Sequence, residues 1–187
     1  MRIVGGSARG RAIAGPKHDG VRPTADRVRE TLFNILGQTF DGERVLDLFA
    51  GTGALALEAL SRGASAATLV DSDRDSVALC LENAASLGFS DLVEVRAAKA
   101  DRAVERLAQE GRRFELIFAD PPYALTACVK VVEWADSLSL LADGGTLILE
   151  HDKREILPET SGRLFRADER AFGDTRISLY RFAAAGP

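Results

Sequence analysis

From Arg44 onward the chain alternates short apolar runs with longer segments of helical period, and few folds accommodate that order. Apolar runs at Arg44–Leu48, Ala66–Val70, Val93–Val95 with its neighbours, Glu115–Phe118 and Thr146–Glu150 read as strands. Helices are expected between them, near Ala54–Arg62, Arg74–Leu87, Asp101–Glu110 and Thr126–Leu141. Strand and helix in turn demand parallel pairing through crossovers, so a doubly wound α/β sheet with helices on both faces is predicted. The end of the chain departs from this order. Arg163–Arg170 and Arg176–Phe182, joined through "AFGDT", read as an antiparallel pair that closes one edge, for a mostly parallel, seven-stranded sheet.

Ahead of the first core strand, "RPTADRVRETLFNIL" reads as an amphipathic helix with Thr24 as N-cap and Val28, Leu32, Ile35 and Leu36 on its buried face. Upstream, "MRIVGGSARGRAIAG" holds two short alternating pieces around glycines, as a small hairpin would. Residues 1–40 are thus expected to be a basic extension and helix packed on a single compact unit, residues 41–187. A length of 187 residues with 46% apolar residues suffices for one core.

Charge is distributed unevenly. Among residues 1–30, Arg2, Arg9, Arg11, Lys17, Arg22, Arg27 and Arg29 outnumber Asp19, Asp26 and Glu30 by four, although the whole chain carries a formal charge of -4. A basic arm on an acidic body suits phosphate contact at one edge, since such contact depends on local cation density. No window approaches the apolar length of a membrane helix, and a cytoplasmic protein without membrane contact is expected. Cys80 and Cys128 lie in helical patterns without metal-ligand spacing, and neither His18 nor His151 has ligand spacing, so no metal is expected.

"VLDLFAGTGALALEAL" runs from the first strand through a glycine turn into a helix. Gly51 and Gly53 permit positive φ and close backbone approach, and the helix start offers free N–H groups to a polar ligand. The third dinucleotide glycine is replaced by Ala56, and no GK[ST] follows, which excludes a phosphate-cradling P-loop. Asp71 ends the second strand 20 residues after Gly51, where a carboxylate can accept both ribose hydroxyls of an adenosine. Asp47 lies four residues before Gly51. A carboxylate there attracts the cationic end of S-adenosylmethionine and repels a pyrophosphate, which favours the sulfonium cofactor over NAD.

Asp120-Pro121-Pro122-Tyr123 follows the fourth strand on the same sheet edge. Two prolines fix φ and remove N–H donors, so the turn offers only acceptors, to which Asp120 adds its carboxylate. An amine conjugated to a ring is a weak nucleophile; acceptors on its N–H bonds draw it toward tetrahedral geometry and free the lone pair. Tyr123 is placed to stack on a flat base, worth about 1–3 kcal/mol. Asp120 positions the amine and shares with solvent the task of receiving its proton.

The motifs "DLFAGTG" and "DPPY", together with "IVGGSARGRAI", "RPTADRVRETLFNIL", "LEALSRGA" and "FGDTRISLY", resemble the RsmD family nearly end to end. That resemblance implies a Rossmann-like, S-adenosylmethionine-dependent methyltransferase fold and methylation of the exocyclic N2 of one guanine in 16S ribosomal RNA. It places Asp47, Phe49, Ala50, Gly51, Thr52 and Gly53 on the methionine side of the cofactor, Asp71 and Ser72 at the ribose and Ala98 near the adenine. Asp120, Pro121, Pro122 and Tyr123 would grip the guanine, with Asp120 also reaching the cofactor, while Arg2, Arg9, Arg11, Arg22 and Arg27 would face RNA. The product would be S-adenosylhomocysteine, the partner a small ribosomal subunit or late assembly intermediate, and the enzyme a monomer. One departure stands out: where many relatives hold an acid or amide for the adenine amine, this chain has Lys99, which cannot accept that bond. Backbone carbonyls or Asp101 are the expected substitutes.

Three alternatives have the same fold. Adenine-N6 methylation of DNA uses the same planar-amine chemistry but usually needs a separate recognition domain, for which the chain has no length. Glutamine methylation normally carries NPPY, where Asp120 stands here. A non-catalytic RNA-binding module of the same fold would have no need of Asp47, Asp71 and Asp120 together.

Overall fold

The computed structural model describes residues 1–16, 23–121 and 127–182, with the side chains of 23–27 excepted. Its elements are α1 (Pro23–Leu36), β1 (Arg44–Leu48), α2 (Ala54–Ser61), β2 (Ala66–Asp71), α3 (Arg74–Leu87), a 3-10 turn at Ser90–Leu92 and β3 (Val93–Ala97). They continue with α4 (Ala100–Gln109), β4 (Phe114–Ala119), α5 (Ala127–Ser137), β5 (Leu141–Asp152), β6 (Thr160–Ser161), β7 (Leu164–Phe172) and β8 (Thr175–Phe182). One sheet has the order β3-β2-β1-β4-β5-β8-β7-β6, parallel from β3 to β5 and antiparallel from β5 onward. The expected count of seven becomes eight, because the two-residue β6 pairs with the start of β7. A piece that short carries no period of its own in the sequence.

Side-chain alternation along the parallel strands sends Val45, Leu69, Phe118 and Ile148 to one face of the sheet and Leu46, Val70, Ile117 and Leu149 to the other. The first face is covered by α1, α2 and α3 through Phe33, Leu57, Leu60, Cys80 and Leu87, and the second by α4 and α5 through Val104, Leu107, Val131 and Val132. Each face thereby gains its own apolar layer.

Three boundaries differ from expectation. α1 starts at Pro23, so Thr24 is a first-turn residue rather than the cap; proline, with φ preset and no N–H to satisfy, suits the first helical position. Phe33 joins the expected buried face. α5 stops at Ser137 instead of running to Leu141, since Ser139 adopts a left-handed φ of 52°, and β5 then begins at Leu141, five residues before its expected start. That early start pairs Leu141 with Phe114 before a register shift to Leu116 and Thr146.

The N-terminal segment is folded against the sheet's first layer. A bridge between Arg2 and Ala12 makes the hairpin, and Ile3, Ala8 and Ile13 are buried. Its backbone is fixed to the end of α2: Val4 N–H donates to Glu58 (2.8 Å), Ser7 N–H to the Ser61 carbonyl (2.7 Å) and Ala8 N–H to Ser61 Oγ (2.9 Å). A Cβ at Gly6 would lie 1.8 Å from the Ser61 carbonyl oxygen, and this close approach requires glycine. Glu58, fully buried, is neutralised by Arg62 at 2.9 Å and Arg29 at 3.5 Å. Removing one member of such a buried group typically costs about 3–5 kcal/mol.

Candidate active site

The parallel strands end together, and the loops beyond them form the site. After β1 the chain turns through Phe49 (φ 64°), Gly51 (φ 56°) and Gly53 (φ 75°) into α2. A left-handed phenylalanine is a costly conformation that its surroundings must impose. Here Ala50 N–H donates to the Val70 carbonyl (3.0 Å), Gly53 N–H to the Ala50 carbonyl (2.7 Å) and Gly51 N–H to Asp71 Oδ2 (2.8 Å). Asp71 Oδ1 accepts from Asp73 N–H (2.9 Å), so one carboxylate holds both the glycine turn and the approach to α3. Asn83, also buried, reaches the same loop from α3: its Nδ2 donates to the Thr52 carbonyl (2.9 Å) and to the Ala14 carbonyl (3.0 Å), while its Oδ1 accepts from Ala14 N–H (2.7 Å). The basic arm and the glycine loop therefore share one side chain.

A cleft of about 320 Å³ opens beside this turn, lined by Phe49, Val70, Asp71, Ser72, Ala98, Lys99, Ala100, Asp101, Lys130 and Trp134. Of the expected cofactor residues it gathers Phe49, Asp71, Ser72 and Ala98. Ala50, Gly51, Thr52 and Gly53 form the adjoining turn. Asp47 lies beneath that turn, 3% exposed, with Oδ2 accepting from Ala56 N–H at 3.3 Å. Burial, with smaller contributions from the negative charges of Asp120 and Asp71, pushes its carboxyl well above the ordinary 3.8, against the opposing pull of the Ala56 N–H. Lys130 and Trp134, one turn apart on α5, also line the cleft and were missed by the sequence reading, as was Asn83; an i, i+4 pair containing the chain's single tryptophan was the available signal.

Asp120 stands at the end of β4, next to β1 in the sheet. It is exposed at the mouth of the site, yet partial desolvation there raises its carboxyl to about 6. Pro121 is buried behind it. Beside it on β5, Glu150 is raised to about 7, by burial first and by the Asp120 charge second. The sequence reading took Glu150 only as the last residue of a strand.

Among the expected RNA residues, Arg2, Arg9 and Arg11 are exposed on the hairpin. The Arg11 guanidinium also donates to the carbonyls of Leu87 (3.0 Å) and Ser86, which closes the C-terminus of α3. Pro122, Tyr123 and Arg22 lie outside the described residues, and Arg27 is described only by its helical backbone. Lys99 sits at the start of α4 on the cleft wall, and Asp101 Oδ1 accepts from Arg102 N–H (2.8 Å). His151 is a core residue, its Nε2 2.9 Å from Ser178 Oγ. The turn at Gly173 (φ 64°) and Asp174 is tied to the end of β5 through Lys153 N–H and the Asp174 carbonyl (2.8 Å).

Comparison with known proteins follows this geometry closely. The family described as conserved hypothetical protein 95 matches residues 1–181. "Ribosomal RNA small subunit methyltransferase D" of Escherichia coli (strain K12) is 36% identical over 186 residues, covering 100% of this chain and 92% of that protein. A solved Escherichia coli structure described as a candidate methyltransferase, yhhF, superposes with a TM-score of 0.84 at 36% identity, with 98% of each chain covered. A candidate S-adenosylmethionine-dependent methyltransferase from Streptococcus mutans shares the fold, with a TM-score of 0.70 at 18% identity, over 86% of this chain and 49% of that one.

Proposed function

The chain belongs to the conserved hypothetical protein 95 family, the RsmD family of ribosomal RNA methyltransferases, and from that membership we propose that it transfers a methyl group from S-adenosylmethionine to the exocyclic N2 of a guanine in small-subunit ribosomal RNA. The observation that carries the reading is the convergence of Asp47, Asp71 and Asp120 on one sheet edge, beside a cleft whose wall includes Asp71, a strained Phe49 and a tryptophan. Asp47 lies in the fields of both Asp71 and Asp120, and such a group of acids favours a cationic ligand over the pyrophosphate of a dinucleotide. An aromatic-walled cleft beside them suits an adenosine.

When bound, S-adenosylmethionine supplies an electrophilic methyl on a cationic sulfur. Asp71 offers acceptors to the ribose hydroxyls without losing its hold on Gly51, because a carboxylate accepts more than two bonds. Asp47 sits where a ligand ammonium would draw it back toward its ionised form. Lys99 leaves the adenine amine to backbone carbonyls on the Ala98–Asp101 wall. Asp120 accepts an N–H bond from the guanine amine, directs the nitrogen lone pair at the methyl, and takes the released proton or passes it to solvent. A carboxyl near 6 is ionised enough at neutral pH to be the acceptor and basic enough to be the sink.

Arg2 and Arg9 present cations on the arm, which suits phosphate contact by a compact monomer working on an assembled or nearly assembled subunit. Calorimetry with S-adenosylmethionine and NAD tests the cofactor: binding of the first alone is expected, and preference for NAD would refute the reading. Asp120→Ala should bind the cofactor normally and lose most turnover; unchanged turnover would remove Asp120 from the mechanism.

A further inference from the structure

Beside Asp120, a second carboxylate stands at the same strand ends. β4 and β5 run parallel with Ala119 opposite Leu149, so the next residues, Asp120 and Glu150, stand side by side on neighbouring strands. Ala119 and Leu149 both point into the layer under α4 and α5, which turns Asp120 and Glu150 to the opposite face, the one that carries Asp47 and the glycine turn. On its far side Glu150 pairs with Ile177 of β8, an apolar neighbour, and its backbone carbonyl is taken by Cys128 Sγ at 3.7 Å. Among the described residues no cation and no hydrogen-bond donor meets the Glu150 carboxylate. A half-buried acid that no protein donor meets, beside Asp120, is left open to a donor from a ligand.

We infer that Glu150 is a specificity residue that reads the N1–H of the target guanine, next to the N2–H bond accepted by Asp120. The inference rests on the proposed guanine-N2 reading and extends it. Guanine presents N1–H and N2–H as two donors pointing nearly parallel along one edge, and two carboxylates on adjacent strands form the matching acceptor pair. Adenine presents a bare N1 beside its amine. That lone pair meets the Glu150 carboxylate as acceptor against acceptor, so the pair of acids admits one purine and disfavours the other.

The test compares bases that keep the N2 amine and differ at N1 and O6, and the change of their ratio on mutating Glu150 isolates the N1 contact. After the acceptor position is mapped on native small subunits, reconstituted subunits carry guanine or 2-aminopurine there; 2-aminopurine has the amine but no N1–H. The wild-type protein is expected to methylate guanine at least tenfold faster, as roughly one lost buried hydrogen bond dictates. Glu150→Gln, whose amide can either accept or donate, should reduce that ratio to about threefold or less while S-adenosylmethionine affinity stays within about twofold. Glu150→Ala is read by the same ratio if the glutamine variant does not fold. Equal slowing on both bases, with the ratio kept, would overturn the assignment and leave Glu150 a structural residue. A wild-type protein that forms no N2-methylguanosine on native subunits would instead overturn the guanine reading beneath it.

Discussion

Glu150→Gln should stabilise the protein at pH 8 and do little at pH 4.5. In the folded protein the carboxyl titrates at about 7 against an ordinary 4.5, with burial the larger cause and the Asp120 charge the smaller. A raised carboxyl pKa means that the folded state keeps its proton when the unfolded chain has already released it. The associated stability is fully present below about pH 4.5 and is lost as the pH rises through about 7, and glutamine, which does not titrate, escapes that loss. Each pKa unit corresponds to about 1.4 kcal/mol, which bounds the effect at about 3 kcal/mol. Partial exposure of Glu150 and solvent screening reduce the expected gain to about 1–2 kcal/mol, or about 3–6 °C in Tm for a chain of this size. Urea unfolding of both proteins at pH 4.5 and pH 8, with m-values compared, measures the gap directly. A gap that is the same at the two pH values would mean a solvated Glu150 with an ordinary pKa, and the unpartnered acid would lose its meaning.

Other substitutions separate the site's parts. Gly53→Ala puts a Cβ 2.7 Å from Leu69 Cδ2 at a φ of 75°, and should cost about 2–4 kcal/mol in chemical denaturation and weaken S-adenosylmethionine binding; a loss below about 1 kcal/mol would mean the loop relaxes freely. Asn83→Ala removes the bonds to Thr52 and Ala14, and should cost about 2–3 kcal/mol while raising hydrogen exchange in both the arm and the glycine loop; exchange confined to one of them would break the link between them. Arg9→Ala should lower the salt slope of subunit binding by about one, whereas Arg11→Ala should cost about 1 kcal/mol of stability through the carbonyls it closes at α3, and equal slopes for Arg9→Ala and wild type would exclude a phosphate contact at Arg9.

Much of this architecture was legible in the sequence because β1, β2 and β4 are buried on both faces and so read as near-continuous apolar runs, while β3 at the sheet edge alternates apolar and charged residues. β1, β2, β3 and β4 fall within a residue or two of their expected limits. The misses have local causes. Leu138–Leu141 continues the apolar pattern of α5, and only the left-handed turn at Ser139 breaks it, a conformation serine does not announce. β6 is two residues long and exists through its partner. At the site, the glycine turn, Asp71 and Asp120 were marked by motif spacing. Glu150 was not, because its significance comes from lying beside Asp120 on a strand 30 residues away, which only the sheet order reveals. Arg11 shows the reverse: its charge suggested RNA, and the structure adds a role at the end of α3 that composition does not contain.

The central claim is tested most directly by incubating the protein with tritiated S-adenosylmethionine and small ribosomal subunits that lack base methylation, then digesting the RNA and separating its nucleosides. The account predicts label in N2-methylguanosine, lost in Asp120→Ala. Label in N6-methyladenosine, or none despite tight cofactor binding, would contradict it.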